Sequence, residues 1–133
     1  MITIEDVNAV LEQHTWLHFC GYGLPYDPSK TVAERTHSVQ VWRAALLDAS
    51  SIVQIQKTCE WIKENFEQQK TVNYRHTSYG LKHIVEKKTG YISNGQFIVA
   101  ALLCGYTMGR KSHSSYNPSF NIKEVSVKRS EKK

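Results

Sequence analysis

Apolar positions recur at intervals of three and four along most of the chain, which predicts helices, and only the C-terminal quarter shows a shorter alternation. Behind Thr3 and Asp6, spaced as a capping pair, Ile4, Val7, Val10 and Leu11 form one stripe and predict a helix from about 4 to 17. The run CGYGLPYDPSK concentrates glycine and proline and stops it in a surface loop. Val39, Trp42, Ala45 and Leu46 mark a second helix, from about 33 or 37 to 48. Ser51 and Gln54 read as a capping box for a third, whose Ile52, Ile55, Cys59, Ile62 and Phe66 carry it to about Gln69. After the polar connector KTVNYRH, Thr77 or Ser78 caps a fourth helix with Leu81, Ile84 and Val85 inward and Gly90 as its left-handed terminator. Ser93 and Asn94 cap a fifth, which Gly105 ends. YTMGR and SFNIKEVSV then read as two strands around KSHSSYNP, with Asn117-Pro118 turning the hairpin.

The expected fold is therefore mainly helical, α+β: a compact domain of about five helices closed by a C-terminal β-hairpin, with a winged-helix-like outline in the C-terminal half. It is a single domain over 1–123, in which a helical N-terminal segment (1–69) precedes a basic helix-turn-helix plus hairpin segment (70–123), and a basic, flexible tail follows over 124–133. At 133 residues such a chain can build one core without disulfide or metal. Cys20, Cys59 and Cys104 are odd in number and contain no C-x-x-C pair, which fits a reducing cytoplasm. No apolar run approaches the roughly 18 residues of a membrane span, and MITIEDVNAV carries acids where a leader carries bases. The expectation is a cytoplasmic protein of a bacterial host cell, with no leader and no membrane.

Charge adds an asymmetry. Residues 1–69 hold five basic and nine acidic side chains, a net of −4, whereas 70–133 hold twelve basic and three acidic, a net of +9. A basic half on a mildly acidic one points to a polyanion or an acidic partner, although some of the excess belongs to the tail KEVSVKRSEKK.

The helix pair TSYGLKHIVEKKTGYISNGQFIVAALLCGY has the outline of a DNA-reading motif, but a recognition helix must offer polar side chains to base edges. FIVAALLC is apolar all round and belongs in the core; only Asn94, Gln96 and the backbone near Gly95 could face a groove. Phosphate contact suits the sequence better. Arg75, Lys82, Lys87, Lys88, Arg110, Lys111 and His113 make the candidate binding face. His14 and His18, at i, i+4, lack the Glu of a zinc-protease motif, and Tyr79, Lys82, His83 and Glu86 have no nucleophile motif beside them. No metal, no cofactor and no enzymatic activity are expected.

S-Y-G-L-K-H-x-x-E over 78–86, Y-I-S-N-G-x-F-I-x-A-A-L over 91–102, Gly105 and N-P-x-F-N over 117–121 resemble a pattern in small uncharacterised proteins of phages, plasmids and other bacterial mobile elements. The resemblance begins only after residue 70 and brings no residue roles. It implies an accessory protein of a mobile element, a class of repressors, replication modulators and inhibitors of host defence. The expected function is a non-enzymatic regulator or inhibitor whose basic face engages nucleic acid or a nucleoprotein complex. The alternative is an anti-defence inhibitor of an acidic host-protein surface, aided by Trp16, Tyr22, Tyr26 and Tyr116.

Overall fold

The structure, a computed structural model, describes residues 1–112 and 115–132. It is α+β, with helices packed around one apolar helix and two small antiparallel sheets. Helix α1 (Ile4–Gln13) begins as its sequence predicts: the Thr3 hydroxyl accepts from the Asp6 N–H and the Asp6 carboxylate accepts from the Thr3 N–H. It stops four residues before the expected end. Arg43 reaches across from α2 (Val32–Ala45) and donates to the carbonyls of Leu11, His14 and Leu17 at 2.7–2.8 Å, satisfying acceptors that a helix end leaves open. The freed chain forms a two-residue-per-strand hairpin, β1 (Leu17–His18) and β2 (Gly21–Tyr22), inside the segment read as loop.

Helix α3 (Ala49–Asn65) starts at the N-cap Asp48, ahead of the predicted box. Ser51 is instead buried within its first turn, where its hydroxyl accepts from Gln96 Nε2 at 3.0 Å. The helix ends at Phe66, and the connector read as polar coil becomes strand β3 (Gln68–Asn73). Nothing in QQKTVN alternates in polarity; pairing with β5 (Ser119–Ile122) makes it a strand. The sheet order is β3-β5-β4, with β4 at Met108–Gly109; β4 and β5 pair antiparallel over two positions, and β5 is the central strand of a three-stranded sheet rather than one arm of a closing hairpin. Asn121 ties both flanks to it, accepting from the Thr107 N–H and donating to the Gln69 carbonyl. Asn117 and Pro118 are spent elsewhere: Asn117 Oδ1 accepts from Asn94 and the Pro118 carbonyl from the Ser78 N–H.

Helix α4 (Ser78–Thr89) is capped by Thr77 and buries Leu81 and Val85. It ends at Gly90 with φ 91° and ψ 172°, a positive-φ residue but with extended ψ rather than the left-handed helical value, a region open to little besides glycine. Helix α5 (Asn94–Leu103), capped by a reciprocal Ser93–Gln96 box, is the middle of the molecule: Phe97, Ile98, Val99, Ala100 and Ala101 have no exposed surface. It packs on α1, α3, α4 and β2.

The largest departure lies at the C-terminal end. Residues read as the end of a strand and a flexible tail form helix α6 (Glu124–Glu131), with Ser126, Val127 and Ser130 buried. The Lys123 N–H donates to the Glu67 carbonyl, the Glu67 N–H to Ser126 Oγ, and Arg129 to the Glu67 carboxylate at 2.7 Å. This holds α6 against the junction between α3 and β3.

Candidate functional site

The N-terminal turn of α5, where a recognition helix would meet base edges, faces inward. Its Gly95 N–H donates to the Phe19 carbonyl at 2.9 Å, and a Cβ at Gly95 would overlap the backbone of His18 and Phe19. Asn94 Nδ2 donates to the Cys20 carbonyl and to Asn117 Oδ1. Gln96 is taken by Ser93 and Ser51. These contacts explain the residues of the Ser-Asn-Gly entry and engage the Gly95 N–H and the Asn94 amide nitrogen within the fold.

The predicted basic residues divide by position. Arg75 follows β3 and Lys111 follows β4; both are exposed and both line one open groove of about 630 Å³, together with Tyr74 and Glu124. Lys87 and Lys88 are exposed in the last turn of α4, where positive charge also complements the helix dipole. They share a smaller concavity of about 180 Å³ with Ser130 and Glu131 of α6. His113 lies outside the described residues.

Two of the predicted contacts are corrected. Lys82 is only 6% exposed, because it follows Leu81 onto the inward side of α4. Its Nζ lies 3.1 Å from Glu86 Oε1 and over the rings of Tyr79 and Tyr91, at 5.5 and 4.9 Å from their centroids. Opposite charge and ring faces offset the burial of the ammonium. Arg110 turns back on its own loop, with Nε and Nη2 donating to the Ser115 carbonyl at 3.0 and 2.8 Å and the guanidinium 4.7 Å from the Tyr22 ring.

Helix α6 supplies what charge and periodicity alone do not reveal. Glu124 lines the Arg75–Lys111 groove and Glu131 lines the Lys87–Lys88 concavity, so the helix runs from one basic pair to the other, about 10 Å at 1.5 Å per residue. Lys128 lies on the same stripe, at i+4 from Glu124 and three before Glu131. The one regularity that could have exposed this helix is Ser126, Val127 and Ser130 at i, i+1, i+4. Two of the three are serines, and a search for apolar periodicity passes over them.

Glu124 holds the groove end together. Its carboxylate accepts from Asn73 Nδ2 at 2.9 Å and from His76 Nε2 at 2.9 Å, and those hydrogen bonds keep it below the usual carboxylate range. On α4, burial works against ionised Glu86, but hydrogen bonds from Lys82 and from His83 Nδ1, the latter at 2.7 Å, hold its pKa down. The Tyr79 ring stands edge-on to His83 at 4.5 Å.

Most of the other candidate side chains are engaged within the fold. His18 is buried with both ring nitrogens engaged, Nε2 donating to the Gly23 carbonyl at 2.9 Å and Nδ1 accepting from the Cys20 N–H at 3.2 Å. His14 Nδ1 pairs with the Tyr22 hydroxyl at 2.9 Å. Burial lowers the pKa of both histidines. Among the described residues no three His, Cys, Asp or Glu side chains converge as a metal site. Of the aromatics considered for a protein contact, Trp16 and Tyr26 are exposed, whereas Tyr22 is packed by Arg110 and the Tyr116 ring lies against His18. Compared with known proteins, the chain matches no family model, no curated protein and no solved structure.

Proposed function

We propose that this protein is a non-enzymatic binding protein of a phage or other bacterial mobile element, that its basic C-terminal face engages nucleic acid or a nucleoprotein complex, and that it acts as a regulator or inhibitor in the host cytoplasm. The observation that carries the reading is α6, which joins the Arg75–Lys111 groove to the Lys87–Lys88 pair. With Lys128 and Lys132 this makes a basic strip on the order of 10 Å long, enough to contact successive phosphates of one strand. Of the acids within it, Glu124 is partly neutralised, engaged by His76 and by Lys128, whose Nζ is 3.9 Å away. Lys111 follows β4 at the edge of the groove, and phosphate contact needs no recognition helix.

Fluorescence anisotropy with labelled oligonucleotides across a salt series tests this. Binding should weaken linearly in log salt, and K87E/K88E/K128E should weaken it at least a hundredfold and reduce the salt slope by about three. Salt-independent binding, or an unaffected triple variant, refutes the basic strip.

A further inference from the structure

On α4 and just beyond its end stand two tyrosines that the fold has little reason to display, Tyr79 on the helix and Tyr91 lining a separate concavity with Asp48 and Gln54. Tyr79 is 52% and Tyr91 68% exposed, yet neither ring hangs free, since both rest on the same ammonium, Lys82 Nζ. That ammonium is buried and bonded to Glu86. Glu86 is in turn held by His83, whose ring touches Tyr79 edge-on. The rings are thus exposed but propped from beneath by a closed network. An ordered aromatic surface loses less side-chain freedom on binding than a solvated one.

Their position matters as much as their order. Tyr79, His83 and Lys87 fall at i, i+4, i+8 of α4, one stripe that runs from the aromatic pair directly to the basic concavity shared with α6. Tyr91 follows the Gly90 break beside the same lysine. At the other end of α6, the 44% exposed Tyr74 lines the groove with Arg75 and Lys111. Tyrosine therefore accompanies cation at both ends of the strip.

We infer that the partner of this face is a single-stranded nucleic acid, its phosphates on the lysines and arginine of the strip and its bases stacked on Tyr79 and Tyr91. Bases in a duplex are already stacked on each other and offer only their edges, so their π-faces are closed to exposed rings. A single strand offers free π-faces, and alternating cations and exposed rings are how such strands are held without sequence preference. An acidic protein surface would also match the cations and could use exposed tyrosines as anchors, so poly-glutamate and duplex are the competitors that the test must separate.

The inference rests on the basic-face reading, and the test separates the two. The full chain is titrated at fixed salt with a labelled mixed-sequence single strand, the matching duplex, heparin, which is a polyanion without bases, and poly-glutamate. The single strand should bind at least tenfold tighter than duplex and poly-glutamate. Y79L/Y91L should weaken single-strand binding by about a hundredfold, roughly tenfold per ring, with heparin affinity and salt slope unchanged. Y79F/Y91F, which keeps the ring faces, should bind within a few-fold of the parent. Equal affinity for duplex or poly-glutamate, or full binding by Y79L/Y91L, overturns stacking and leaves the polyanion reading intact. Absence of binding to heparin and to both nucleic acids removes both. If Y79L/Y91L does not fold, as judged by circular dichroism, Tyr91→Leu alone, outside the helix, is decisive on the same criteria with one tenfold loss.

Discussion

Helices α5 and α6 belong to the same basic half of the chain, yet their surroundings are opposite. Five consecutive residues of α5 have no exposed surface and even its polar first turn is spent on the β1–β2 hairpin and Ser51. In α6 one apolar residue, Val127, and two serines are buried, and its Lys128 and Arg129 face outward. The element that resembles a recognition helix is the core, and the element that reads as a tail is the exposed basic surface. A helix-turn-helix outline is a way of packing two helices; what binds is decided by which helix the rest of the chain leaves uncovered.

That contrast can be broken most severely at Gly95. Gly95→Ala places a Cβ inside the backbone of His18 and Phe19, where neither neighbour is a side-chain tip that can swing away. A loss of about 3 kcal/mol or outright misfolding is expected, and a parental melting temperature would show that α5 is not clamped by the hairpin. Val127→Asp comes next. An unpaired carboxylate in a fully buried site should cost about 2 kcal/mol. It should release α6 first, so amide exchange quickens in α6 and polyanion affinity falls while α5 stays protected. An equally stable, equally tight variant would return α6 to the status of a tail.

The smallest effect is electrostatic. Glu124 has a folded-state pKa held down by Asn73 and His76, so it stabilises the fold above its unfolded value, about 4.3, and that contribution disappears as pH falls through the lower folded value. The wild type should lose stability on acidification below about pH 4. Glu124→Gln should lose less over the same range, the remainder coming from other depressed carboxylates such as Glu67 and Glu86. Identical acid profiles by chemical denaturation would mean that Glu124 does not anchor α6 to the Asn73–His76 turn.

Several features follow from neighbouring residues alone, because local hydrogen bonds and helical spacing cause them. Thr3 and Asp6 cap α1, Thr77 caps α4, Ser93 and Gln96 cap α5, and Leu81, Val85 and the apolar run from Phe97 turn inward as their periodicity requires. The charge asymmetry was also legible, and with it Arg75, Lys87, Lys88 and Lys111 as exposed cations. What neighbours could not specify was decided by distant partners. Arg43 shortens α1 through carbonyls up to 32 positions away in sequence, and β5 turns a polar connector into strand β3. Lys82 is the exception in range: Glu86, Tyr79 and Tyr91, all within nine positions of it, draw it out of water, although its charge alone would put it at the surface. Glu67 holds a serine-lined helix that no hydrophobic pattern announces. Side-chain type sets which contacts are favourable, but only the folded chain brings residues tens of positions apart close enough to make them.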